Sequence, residues 1–183
     1  MQTQNMYTQK IHPGANFPDI KATLSSGEQV LLNTTRDGCD WKVVVVYRGK
    51  HCPICTKYLN QLESFKQQFL DEGVDLIAVS GDSKSQLDAH LEELNISFPV
   101  AYGLTQQDMQ TLGLFISEPR SEQETDHNFA EPALFVINSE NKVQIAEIAN
   151  APFIRPDIEL LLNGLKFIRD PDNNYPIRGQ LSY

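Results

Sequence analysis

Val43-Val44-Val45-Val46-Tyr47-Arg48-Gly49-Lys50-His51-Cys52-Pro53-Ile54-Cys55 is the stretch on which the fold turns. Its first half is β-branched and lacks polar alternation, the pattern of a strand buried on both faces near the middle of a sheet. Its second half leads into a helix. Ile54, Tyr58, Leu62, Phe65 and Phe69 recur at three- and four-residue steps, with Lys57, Asn60, Glu63, Ser64 and Gln67 filling the other side and Gly73 as a C-terminal stop. Two cysteines therefore stand at the carboxyl end of a central strand, where open α/β sheets place their sites.

The chemistry follows from that position. A sulfur in a first helical turn faces unpaired backbone N–H groups and the positive end of the helix dipole, both of which favour thiolate over thiol. Only the thiolate attacks disulfides or peroxides. Arg48, Lys50 and His51 lie immediately upstream and are expected to push the same way, while Pro53 pre-sets a helical φ between the sulfurs. Cys52 and Cys55 are spaced to close a small disulfide ring, so the pair suits a reversible dithiol that needs no cofactor. A structural zinc site requires two further ligands, and Cys39, His12, His51, His90 and His127 show no second paired spacing. Cys39 lies in a polar loop and reads as unpaired, and His90 as a surface or boundary histidine.

On either side of this stretch the elements alternate. Phe17–Leu24, the turn Ser25-Ser26-Gly27 and Gln29–Leu32 form an N-terminal hairpin. Val74–Val79 reads as a second buried strand. Ser83 and Gln86 fit a capping box that opens a helix with Leu87, Leu91 and Leu94 on one face. Phe98-Pro99-Val100 is a short extended piece. Residues 113–130 are too long and polar for an ordinary connection and read as a functional loop, a lid over the cysteines or a loosely ordered insertion. Ala133–Ile137 and Val143–Ile148 form a hairpin. Pro156 is expected at the first position of a last helix, whose apolar face is Ile158, Leu161, Leu162, Leu165 and Ile168 and which Pro171 ends. Residues 172–183 are a turn-rich tail. The alternation implies an α/β fold with parallel crossovers, made mixed by the closing hairpin, in a single domain spanning 1–183.

Composition narrows the partners. The 183 residues carry 15 Lys+Arg against 24 Asp+Glu, a net charge of -9, which argues against a nucleic-acid or anionic-membrane binder. No stretch reaches the apolar length of a spanning helix, and Met1–Lys10 lacks the apolar region of a secretory signal. Three cysteines do not make a secreted disulfide scaffold, so a soluble cytoplasmic protein is expected.

Pro18-Asp19 with Gly27, the Cys52–Cys55 motif after a valine-rich strand, and Pro132-Ala133-Leu134-Phe135-Val136-Ile137 together resemble the thioredoxin-fold, peroxiredoxin-like proteins of the AhpC/TSA (redoxin) superfamily. The stretch from Tyr47 to Cys55 is similar to their CxxC-bearing branch, and the resemblance runs over roughly Pro13 to Ile168. It implies a thioredoxin-like fold, with a central mixed sheet flanked by helices, and two assignments of role. In thioredoxins the first cysteine attacks and the second resolves, giving attack to Cys52 and resolution to Cys55. In peroxiredoxins the peroxide-attacking cysteine matches Cys55, with a threonine three residues earlier, a proline four before that, and an arginine just ahead of a later strand. This chain holds Cys52, Arg48 and Pro132 at those places, and sliding the motif onto Cys52 meets Gly49 and Val45. Pro132 falls where thioredoxins carry a cis-proline, so a cis bond after Glu131 is expected.

Three functions follow. Thiol–disulfide exchange on a protein or small-molecule disulfide, with a thiol reductant, fits the local chemistry best. Peroxide reduction, with Cys55 attacking and Cys52 capturing the sulfenic acid, is the alternative that the resemblance keeps. The third is a non-enzymatic redox-sensing or docking module with residues 113–130 as its surface.

Overall fold

The structure, a computed structural model, describes residues 9–182, so most of the polar start Met1–Lys10, and Tyr183 of the tail, lie outside the described residues. No helix among those residues is long and apolar enough to cross a membrane.

Among the described residues nine strands and five α-helices follow in chain order: β1 (Lys21–Leu24), β2 (Gln29–Leu31), β3 (Trp41–Val46), α1 (Pro53–Glu63), α2 (Lys66–Asp71), β4 (Val74–Val79), α3 (Lys84–Leu91), β5 (Val100–Tyr102), α4 (Gln106–Thr111), β6 (Ile116–Ser117), β7 (Phe129–Ala130), β8 (Ala133–Ile137), β9 (Val143–Ile148) and α5 (Ile158–Arg169). Seven strands form one sheet in the order β2-β1-β5-β4-β3-β8-β9, and β6 pairs with β7 as a separate ribbon. β3, β4 and β5 run parallel, while β8 is antiparallel to β3 and to β9. This is the thioredoxin-like mixed sheet, with the N-terminal hairpin added antiparallel to β5 at one edge.

β3 is central, and its valines divide by pleat. Val43 and Val45 pack with Cys55, Leu59 and Leu62 of α1, Leu87 of α3 and Leu162 of α5. Val44 and Val46 pack on the opposite face with Phe17, Leu32, Met109 and Phe135. A period of two thus feeds two cores, each buried valine contributing about 1.5–3 kcal/mol. One polar pair interrupts this: Lys42 and its cross-strand neighbour Asp75 form a buried salt bridge, and Lys42 Nζ also donates to the Thr34 carbonyl (2.8 Å).

Several elements depart from the sequence expectation. The long helix is two helices, because Ser64 Oγ and its own N–H both turn back to the Gln61 carbonyl and interrupt the ladder. In α1 the buried stripe is Cys55, Leu59 and Leu62, and Ile54 faces solvent. α4, opened by a Thr105–Asp108 capping box, is too short to announce itself by periodicity. Asp157, not Pro156, adjoins the last helix as its N-cap, accepting the Leu160 N–H (2.8 Å), so Pro156 stands just outside it. The hairpins, the Ser83–Gln86 capping box and the apolar stripe of α5 lie where the sequence places them.

Candidate active site

The turn between β3 and α1 is held from below by β4. Asp82, just past the end of β4, accepts the Lys50 backbone N–H (2.8 Å), and a Cβ on Gly49 would collide with the same carboxylate. Gly49 also sits at φ 132°, so a side chain there is disfavoured twice. The Cys52 N–H donates to the Gly49 carbonyl (3.1 Å), which delivers Cys52 to the N-cap of α1 with Pro53 in the first turn. Cys52 Sγ accepts the Cys55 N–H at 3.3 Å, a sulfur serving as the helix cap. Its partner is one turn on: the two Cα atoms are 5.2 Å apart and the sulfurs are within bonding contact as a disulfide. Both sulfurs are buried, Cys52 at 2% and Cys55 at 0% exposure.

A cation does reach the pair, from a part of the chain that sequence reading did not single out. Arg155 Nη2 donates to Cys55 Sγ at 2.7 Å. The guanidinium is held by its own Nε, which donates to the Pro152 carbonyl (3.0 Å), and by the ring of Tyr58 5.0 Å below it. Tyr58 in turn donates its hydroxyl to the Pro156 carbonyl (2.9 Å), tying α1 to the segment before α5. Burial lowers the Arg155 pKa to about 10, which leaves it cationic at neutral pH, and pushes Tyr58 up to about 12, which keeps its proton.

The three basic residues upstream of the motif are engaged elsewhere. Arg48 Nε lies 3.3 Å from a Glu131 oxygen and Nη2 3.6 Å from Glu124, with the guanidinium over Phe129. Lys50 is half-exposed and 3.5 Å from Glu93. His51 packs on Phe129, and burial, aided by Arg48, lowers its pKa to about 4, so it is neutral near pH 7. These contacts also dock residues 113–130 against the motif. Glu124, Thr125 and Arg120 from that segment share a cleft of about 570 Å³ with Arg48, His51, Pro53 and Asp82.

Pro132 stands beside the site, lining a small cavity with Val45, Tyr58, Ile154 and Arg155, but its peptide bond is trans, not the expected cis. Its carbonyl accepts the Ala149 N–H (2.9 Å) and the preceding Glu131 N–H donates to the Phe115 carbonyl (2.8 Å), so this segment runs straight into β8. His90 is fully buried rather than at a boundary. It shares a 2.8 Å hydrogen bond with Thr56 of α1 and packs 5.6 Å from the Tyr47 ring, and burial lowers its pKa. Cys39 is a free thiol in the loop before β3.

A mixed sheet with a dithiol at the start of the helix after its central strand defines the thioredoxin-like class of redox folds. Within it, the chain belongs to the AhpC/TSA family, whose model matches residues 13–146. A curated relative, a probable 1-Cys peroxiredoxin of Syntrichia ruralis, is 23% identical over 138 residues, which cover 73% of this chain and 62% of that protein. The chain thus spans less than two thirds of that relative's length. Among solved structures, a peroxiredoxin-like protein of Aquifex aeolicus superimposes with a TM-score of 0.70 at 20% identity, over 86% of this chain and 88% of that one. A cysteine-to-serine mutant of peroxiredoxin 6 of Arenicola marina gives 0.72 at 18% identity, over 88% and 75%. AhpC of Mycobacterium bovis gives 0.68 at 14%, over 95% and 99%. At these identities the likeness is one of fold.

Proposed function

We propose that the protein is a thiol peroxidase of small hydroperoxides in which Cys55 attacks and Cys52 resolves. The observation that carries this reading is the Arg155 guanidinium 2.7 Å from Cys55 Sγ. When the disulfide is reduced, the Cys55 thiolate has its counter-ion in place, and a cation beside the sulfur also faces the oxygens of an incoming peroxide. Burial supports a small substrate, since Cys55 has no exposed surface for a protein chain to reach. Membership of the AhpC/TSA family agrees. Arg155 supplies from the segment before α5 the charge that peroxiredoxins bring from ahead of a strand.

The steps balance. The Cys55 thiolate attacks the terminal peroxide oxygen, the O–O bond breaks, and the alkoxide or hydroxide takes a proton and leaves as alcohol or water. Cys52 then attacks the Cys55 sulfenic acid, forming the disulfide and releasing water. An external dithiol returns two electrons and two protons. Stopped-flow oxidation of the reduced protein by hydrogen peroxide tests the assignment. Cys55→Ser is expected to abolish the fast phase, whereas Cys52→Ser is expected to keep it and stop at sulfenic acid. A wild-type rate equal to that of a free thiol would remove the reading.

One observation favours thiol–disulfide exchange with Cys52 as nucleophile. Its sulfur caps α1 and accepts a backbone N–H, which also stabilises a thiolate. Retention of the reduction of small disulfides by Cys52→Ser would exclude that second reading.

A further inference from the structure

We infer that His90 is a positioning residue for the dithiol: through Thr56 it holds the first turn of α1 wound, so that Cys52 and Cys55 stay within closing reach after the bond between them is broken. The inference rests on the pair cycling between dithiol and disulfide, which peroxide reduction and exchange share.

Two hydrogen bonds connect this ring to the reactive pair's own backbone. His90 lies in the last turn of α3 and shares a 2.8 Å hydrogen bond with Thr56 Oγ1, next in sequence to Cys55. Thr56 Oγ1 in turn donates to the Cys52 carbonyl (3.4 Å), the same oxygen that accepts the Thr56 N–H (3.1 Å). With its proton directed at that carbonyl, the hydroxyl accepts from His90 Nε2–H, which assigns the tautomer of the ring. Cys52 is the N-cap of α1, so fixing its carbonyl fixes the backbone from which its sulfur projects.

The opposite flank is held from the same element. Asp82, adjoining the Ser83 N-cap of α3, accepts the Lys50 N–H (2.8 Å), and Lys50 Nζ lies 3.5 Å from Glu93 just beyond the end of that helix. α3 therefore grips the chain at Lys50, shortly before Cys52, and at Thr56, directly after Cys55. In the disulfide the covalent bond itself holds the turn. In the dithiol that constraint is gone, and hydrogen bonds must hold a first turn that tends to fray. A turn kept wound raises the effective concentration of each sulfur at the other.

Stability alone does not account for the ring. His90 has no exposed surface, packs on Tyr47, and its Nδ1 has no hydrogen-bond partner among the described residues. A buried nitrogen without a partner costs about 1–3 kcal/mol, and a leucine would fill the place without that cost. The nitrogen that does have a partner is the one on Thr56.

The test equilibrates the full chain at neutral pH with mixtures of oxidised and reduced dithiothreitol and counts free thiols by alkylation and mass spectrometry. A protein thiolate opens the oxidised reagent to a mixed disulfide, and the second cysteine displaces the reagent's sulfur. The protein gives up two electrons and two protons, leaving its own disulfide and reduced dithiothreitol. His90→Leu is expected to shift this equilibrium about tenfold toward the dithiol, about 30 mV for a two-electron couple. Its urea midpoint is expected to be no lower than that of wild type, since a merely structural histidine would lose stability and leave the equilibrium alone. His90→Gln, which can still donate to Thr56, is expected to recover part of the shift. Thr56→Val is expected to reproduce it, and the double variant to go no further; Thr56→Val carries the test if His90→Leu does not fold. An unchanged equilibrium in His90→Leu or in Thr56→Val, additive shifts in the double variant, or a wild-type pair that oxidised dithiothreitol cannot close would overturn the inference. Peroxide oxidation is followed separately: its failure in wild type removes the peroxidase reading and leaves the role of His90 standing.

Discussion

Arg155 meets Cys55 across 100 residues of sequence, and its charge is the residue-scale determinant of the proposed chemistry. Arg155→Met is expected to slow peroxide oxidation about a hundredfold or more, as loss of a preorganised donor does, with Arg155→Lys retaining part of the rate. The same variant is expected to raise the pH at which Cys55 alkylates, because the thiolate loses its counter-ion. An unchanged alkylation profile would show that the guanidinium does not act on the sulfur. Gly49 is the second such residue. Gly49→Ala forces a side chain into a left-handed backbone at φ 132° and against Asp82, so a loss of about 1–3 kcal/mol is expected in urea unfolding.

At the scale of elements, β3 is the part on which both cores and the site depend. Its polar exception, Lys42, is matched across to Asp75 on β4, whose second role is to accept the Arg36 N–H (3.1 Å) in the loop before β3. Asp75→Ala leaves a buried ammonium without its partner, and a destabilisation of about 3–5 kcal/mol is expected. The double change Lys42→Met/Asp75→Leu is expected to recover most of it, since removing both charges strands neither. A double variant as unstable as the single one would show that the hydrogen bonds to the loop, rather than the ion pair, set the cost.

For the whole molecule, two histidines, His51 half-buried and His90 fully buried, link stability to pH. His51 lies under Phe129 with its pKa lowered to about 4, and His90 lies between Tyr47 and Thr56 with its pKa also lowered by burial. Both refuse in the folded state a proton that the unfolded chain accepts near the ordinary value of 6.5. The stability they contribute is therefore complete above 6.5 and lost as pH falls below it, for His51 over the window down to about 4. Urea midpoints are expected to drop across that window, and His51→Gln to flatten the drop. A wild-type midpoint constant over the same range would contradict the burial of these rings.

Local pieces were legible in the order of residues alone. An unbroken β-branched run can satisfy its hydrophobic surface only inside a sheet, a proline after a cysteine can pre-set the first turn of a helix, and Ser83 with Gln86 can close its own capping box, because each of these depends on neighbours a few residues away. The mixed sheet and the Cys52–Cys55 pair at its central turn could be read for that reason. Long-range electrostatics had to wait for the folded chain: that Arg48 spends its charge on Glu124 and Glu131, that half-buried His51 and buried His90 are held neutral, and that Arg155 is the cation on the sulfur. Charge acts through space rather than along the chain, and which distant side chain arrives in hydrogen-bond contact with a sulfur depends on how the segment before α5 folds back over α1.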